Sequence, residues 1–149
     1  MSMDERVKLK LLGKNQEDLK IISVYLQDSI LIVKDIVFLK HNRTFIMIVN
    51  RFMWEDVEKG VLRQNKRIRC AVKFEEVIKV ESKNINQKNK NKPLECLAIK
   101  CSPIFEETYK INIFFAGNSI ITVITEVIEV TLHDLGKPWK VKHIPIHKI

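Results

Sequence analysis

The chain has 149 residues, 46% of them hydrophobic and 30% charged, with 26 basic against 18 acidic side chains and a net charge of +8. That length fits one domain, 1–149, able to bury roughly 70% of the surface its unfolded chain exposes, and the balance excludes wholesale disorder. Three cysteines (Cys70, Cys96, Cys101) exclude a secreted disulfide framework, and four glycines (Gly13, Gly60, Gly117, Gly136) cannot build GxGxxG or GxxxxGK phosphate loops.

In chain order, residues 7–12 alternate loosely and predict a short first strand. Asn15 is a good N-cap with Asp18 at the third helical position, and Leu19, Ile22, Leu26 and Ile30 recur at helical spacing, so a helix is predicted over 16–29. From Leu31 the period changes to two. "ILIVKDIVFLK", the turn residues "HNR" and "TFIMIVNRF" predict a hairpin.

"VLRQNKRIRCAVKF", residues 61–74, opens the clearest strand: Ile68, Cys70, Val72 and Phe74 point one way, and Arg67, Arg69, Ala71 and Lys73 the other. A flexible Asn/Lys loop near 83–93 separates it from "LECLAIKC". "TYKINIFFA" follows, with Tyr109, Ile111, Ile113 and Phe115 on one side, and a tight Gly117–Asn118 turn leads to "SIITVIT". These segments predict a meander.

Helical spacing then returns, because Ile124, Val127, Ile128, Thr131, Leu132 and Leu135 share a stripe before the stop signals Gly136 and Pro138. A C-terminal helix is predicted there, against the β-branched content, with an extended tail near 137–149. The fold class expected is α+β: an N-terminal helix, six or seven mostly antiparallel strands in a bent sheet or partly open barrel, and a C-terminal helix. The outline of pleckstrin-homology-like domains is one layout that fits, an analogy at fold level that licenses no ligand.

The longest apolar runs fall far short of the ~20 residues that span a bilayer, and the charged start "MSMDERVKLKLLGKNQEDLK" lacks a secretory core. A cytoplasmic protein with no membrane attachment is expected. No CxxC or HxxxH pair occurs, and Cys96 and Cys101, five apart on a strand, point to opposite faces, so no metal site is predicted. His143 and His147 in the tail are a weak metal hypothesis, set against the plainer reading of a solvent-exposed C-terminus. There is no Gly-x-Ser-x-Gly elbow, and the carboxylate pairs Glu75–Glu76, Glu106–Glu107 and Glu126/Glu129 diverge or face water, so no catalytic residue or cofactor is assigned.

Two features remain as binding candidates. Arg63, Lys66, Arg67, Arg69 and Lys73 lie along one strand and its approach, a footprint able to neutralise several phosphates, although no outward ring is there to stack bases. An ordinary solvated strand face explains the same charges. "NRFMWED" carries Trp54, a residue type enriched at interaction hot spots and equally suited to capping a core edge. The four lysines of the 83–92 loop read best as a soluble connector.

The segments "EDLKIISVYLQD", "NRFMWED", "KRIRCAVKFEEVIKVESKNI", "LECLAI" and "FAGNSIITVITEVIEVTLHDLGKPW" together resemble a family of small alphaproteobacterial proteins known as domain of unknown function 2948. The resemblance implies no activity, cofactor or catalytic residue. The resemblance implies that family members often carry acidic residues where this chain has its lysine loop, residues 83–92, which turns attention to "NRFMWE" and Arg67. The reading is therefore a non-enzymatic cytoplasmic interaction module with Arg51, Trp54, Arg63, Arg67 and Arg69 as contacts and a protein partner favoured. Nucleic-acid binding through the basic strand is the alternative, and an enzyme with a scattered site the third.

Overall fold

The computed structural model describes residues 8–55, 65–142 and 144–145. Its elements run β1 (Lys10–Gly13), α1 (Gln16–Leu26), β2 (Ile30–Ile32), β3 (Ile36–Leu39), β4 (Thr44–Phe52), β5 (Lys66–Phe74) and β6 (Val77–Lys83). Then follow β7 (Pro93–Ile104), β8 (Thr108–Phe115), β9 (Ser119–Thr125) and β10 (Val130–Lys140). The ten strands form one antiparallel sheet in the order β1-β10-β5-β4-β2-β7-β8-β9-β6, with β3 paired to β4 beside that path.

Two halves of this sheet share one core. The short β2 joins them on one side, pairing with β4 at Ile30↔Asn50 and with β7 from Ile30 to Ile32. On the other side the chain crosses twice, from β5 to β6 and from β9 to β10. The crossings brace each other: Glu75 N–H donates to the Glu129 carbonyl at 2.9 Å, and Glu126 N–H donates to the Glu76 carbonyl at 3.0 Å. Arg43 adds ion pairs to Glu126 at 2.6 Å and Glu76 at 3.7 Å. Buried side chains from β4, β5 and β10 (Met47, Val72, Leu132) and from β7 to β9 (Ile99, Ile113, Val123) therefore meet in a single cluster.

Two-residue alternation sorts β5 and β8 as the sequence predicts, but a bulge in β7 between Cys96 and Ala98 turns Cys96 and Cys101, expected on opposite faces, both toward the core. Ile68, Cys70, Val72 and Phe74 are buried, while Arg69 and Lys73 face out. Ile111, Ile113 and Phe115 are buried on β8, and Gly117 (φ 80°) and Asn118 (φ 61°) make the left-handed turn into β9. Helix α1 begins where its N-cap predicts, with Asn15 Oδ1 accepting from Asp18 N–H at 2.8 Å. It ends three residues earlier than expected, because Gln27 turns extended and Asp28 adopts φ 63°. Its buried stripe, Leu19, Ile22 and Leu26, packs on β7 and β1. Gly13 permits that approach: a Cβ there would lie 2.9 Å from Ile22 Cδ1.

The expected α+β class is corrected. The fold is mostly β with one N-terminal helix; strands number ten rather than six or seven, and the predicted C-terminal helix is strand. Segment 130–140 is held between β1 and β5, where its β-branched residues fit the pleat. Gly136 and Pro138, read as helix-stop signals, instead occupy a bulge: four steps along β10 (Leu135 to Trp139) match two along β5 (Arg69 to Arg67). Gly136 takes φ 67° there, and the bulge spares Pro138 a ladder hydrogen bond it cannot donate. The predicted hairpin also divides, since β3 pairs with β4 while β2 is diverted to β7.

Candidate functional site

Arg51, Trp54 and Arg67 converge at the C-terminal end of α1. Arg51 shares its parity on β4 with Phe45, Met47 and Val49, so its side chain enters the core side, where it is 0% exposed. Its guanidinium forks onto two carboxylates: Nε and Nη2 donate to Asp134 at 2.8 Å each, and Nη1 and Nη2 donate to Glu55 at 2.9 and 2.7 Å. The same group stands 5.8 Å from the centroid of the Tyr25 ring on α1. Asp134 also accepts from Leu9 N–H at 3.2 Å, tying the entry to β1 into the network.

Trp54 and Arg67 cap the helix from the sheet. Trp54 Nε1 donates to the Gln27 carbonyl at 2.8 Å, and Arg67 Nη1 donates to the carbonyls of Asp28 and Asn50 at 3.0 Å each. Carbonyls at a helix C-terminus lack intrahelical partners, and a cation near them complements the helix dipole. Phe52 lies between the two, with Trp54 edge-on at 4.6 Å and Arg67 at 5.7 Å from its ring centroid.

Electrostatics follow from burial and these partners. Burial pulls the Arg51 guanidinium down, but the hydrogen bonds it donates to Asp134 and Glu55 more than offset this and leave it above its ordinary value. Arg67 is held below its ordinary value, again by burial, with only the more distant charges of Asp28 and Glu95 opposing. Burial first, and the Asp134 charge second, push the Cys70 thiol up to about 12; burial and Asp28 do the same to Cys96. Both are poor nucleophiles at neutral pH.

Of the other residues singled out by sequence, Arg69 is half-exposed, 3.7 Å from Asp35, and Lys73 is 3.3 Å from Glu75. Arg63, His143 and His147 lie outside the described residues. The cations of β5 are thus individually engaged: Arg67 with backbone carbonyls, Arg69 and Lys73 with acids. Arg51 faces the interior rather than a partner. Sequence reasoning passed over Asp134 and Glu55, although Asp134 shares parity with Val130 and Leu132 and could have been read as inward-facing.

Beside this clamp lies a patch that sequence reasoning did not pick out. Ile21 and Val24, 54% and 53% exposed, lie on the outer flank of α1, and with Tyr25, Trp54 and Glu55 they line a cleft of about 180 Å³. A helix flanking a sheet ordinarily turns polar residues outward. Larger clefts of about 350 and 290 Å³ border the 84–92 turn, and one of about 400 Å³ lies between α1 and β7. In none of these four does a lining serine hydrogen-bond a carboxylate or histidine: Ser23 accepts from Ile99 N–H, Ser82 accepts from Gln87 Nε2, and Ser119 donates to the Asn84 carbonyl. Among the described residues no three His, Cys, Asp or Glu side chains are placed to hold a metal, and no helix is long and apolar enough to cross a membrane.

Fold and site together define a mostly-β domain whose N-terminal helix is pinned to the sheet by a buried arginine network. The chain belongs to the family described as "Protein of unknown function (DUF2948)", which it matches over residues 9–147. No curated protein and no solved structure matches it.

Proposed function

We propose that the protein is a non-enzymatic interaction module that docks a protein partner on the outer flank of α1. The observation that carries this reading is the pairing of two exposed aliphatic side chains, Ile21 and Val24, with the half-buried Trp54 around one small cleft. A volume of about 180 Å³ lies below the usual range of small-molecule pockets, ~300–1,000 Å³, and suits one inserted side chain. Trp54 serves as anchor, with its indole N–H already satisfied by Gln27 so that only its apolar edge is offered. The family match, which carries no activity, leaves room for this reading. The three unpaired cysteines support a cytoplasmic setting.

Ile21→Glu with Val24→Glu tests the proposal, since both positions are more than half exposed and the fold should tolerate charge. The protein, used as bait in nuclease-treated lysate, is expected to retain a discrete partner that the double variant loses, while circular dichroism stays unchanged. Retention of the same partner by the double variant would remove α1 from the interface.

A further inference from the structure

We propose that the outer face of β6, β7, β8 and β9 binds single-stranded nucleic acid. This face is separate from the α1 flank and does not depend on the reading above. The strand register sets out its chemistry. Lys110 on β8 and Lys79 on β6 both pair with Ile124 of β9, from opposite sides, and Lys100 on β7 pairs with Asn112 next to Lys110. Lys83 closes the far end of β6. With strands ~4.8 Å apart and ~3.3 Å per residue, these four cations frame a field roughly 14 Å across and 13 Å long.

The charge in that field exceeds what its one acid, Glu81 of β6, offsets. All four lysines are exposed; Glu81 pairs with Lys79 at 2.7 Å and its charge also reaches Lys110, while Lys83, Lys100 and Lys110 make no ion pair among the described residues. The centre is partly apolar. Phe114, half-buried on central β8, carries the Lys100 ammonium over its ring, 5.7 Å from the centroid. Beside it Thr122 Oγ1 donates to Asn112 Oδ1 at 2.7 Å, and the Asn112 amide nitrogen makes no hydrogen bond among the described residues.

Lysines spaced around a ring suit a ligand that alternates phosphates with flat apolar groups, because a base can replace the Lys100 ammonium over Phe114 while that lysine swings to a phosphate with the rest of the frame. A lipid surface would call for several apolar side chains that protrude past the charges; here Phe114, Ile120 and Ile124 are half-buried in the sheet plane, and exposed Ile104 and Phe105 stand at the β7–β8 turn. Strand β5, whose cations are already engaged, has neither feature.

Anisotropy of a labelled oligothymidylate of ~15 nucleotides, titrated with the full chain, tests the proposal. Three to four phosphate contacts predict saturable binding that weakens roughly 20- to 50-fold between about 50 and 200 mM salt. Lys100→Glu with Lys110→Glu should abolish binding, and Phe114→Leu should weaken it about tenfold with an unchanged salt slope. Lys10→Glu with Lys40→Glu, the same charge change on the other half of the sheet, should stay within about threefold of the parent by altering only long-range attraction. The proposal fails if the folded protein does not bind at about 50 mM salt, or if the Lys10/Lys40 variant loses as much as the Lys100/Lys110 variant. It also fails if a duplex binds as tightly, or if phosphatidylserine vesicles bind in place of the oligonucleotide. Loss of a protein partner on Ile21→Glu/Val24→Glu would leave this result untouched.

Discussion

Two regions of the molecule carry similar charge to different ends. Around the end of α1, Arg51 and Arg67 are drawn into the structure, where carboxylates and backbone carbonyls take up their donors. On the outer face of β7 and β8, Lys100 and Lys110 stand in solvent and make no ion pair among the described residues. The guanidinium's planar fork can satisfy two carboxylates at once and is weakly hydrated, whereas an ammonium is a compact, strongly hydrated point charge. Cation density along a strand is therefore a poor guide to a binding face; what matters is which cations remain unspent after folding.

The sharpest way to break this comparison is Arg51→Met. It strands Asp134 and Glu55 beside the core, and urea unfolding is expected to show a loss of about 3–5 kcal/mol. Pairing it with Asp134→Leu should recover much of that loss, because the costly element is the unpaired buried charge. A single-variant loss under about 1 kcal/mol would mean that water reaches the network.

Arg67→Met comes next. It removes the donor to two carbonyls and should cost about 1–3 kcal/mol, with faster amide exchange in the last turn of α1. Normal protection there would place the helix anchor elsewhere.

The thiols sharpen the comparison through pH. Folded Cys70 and Cys96 titrate near 12 and the unfolded chain near 9, so the unfolded state releases protons first as pH rises. Their contribution is complete below about pH 9 and falls between about pH 9 and 12, at roughly 1.4 kcal/mol per unit for each thiol. At pH 8 only about one part in ten thousand of each is thiolate, so iodoacetamide should give a single adduct by intact mass, on half-buried Cys101. Two or three adducts on folded protein would show the core to be open.

The smallest effect belongs to the lysine face. Lys100→Ser with Lys110→Ser should leave stability within about 0.5 kcal/mol by thermal melting. A larger drop would show that these lysines also serve the fold.

Much of the local structure was legible. Asn15 and Asp18 marked the start of α1, the parity of Ile68 to Phe74 marked the inner side of β5, and Gly117–Asn118 marked a turn that needs two left-handed residues. The segment from Ile124 to Leu135 was ambiguous, since its apolar residues fit a helical stripe and its β-branched ones a strand. Local propensity differs too little between those states to choose, and pairing on both edges with β1 and β5 decided it. Of the candidate site, Arg51, Trp54 and Arg67 stood out by type, and the parity Arg51 shares with Phe45, Met47 and Val49 was an unused sign that it points inward.

What the sequence by itself determined is which side of each regular strand is apolar, because side-chain direction alternates with every residue regardless of neighbours. Only the tertiary structure decided which strands lie next to one another, and with that the fate of each charge. Arg51 and Asp134 are 83 residues apart, and their pairing depends on β4, β5 and β10 being adjacent in the sheet. Lys100 and Lys110 stay exposed for the same reason, since β9, which lies between β8 and β6, brings no acid and holds Glu81 one strand further from Lys110.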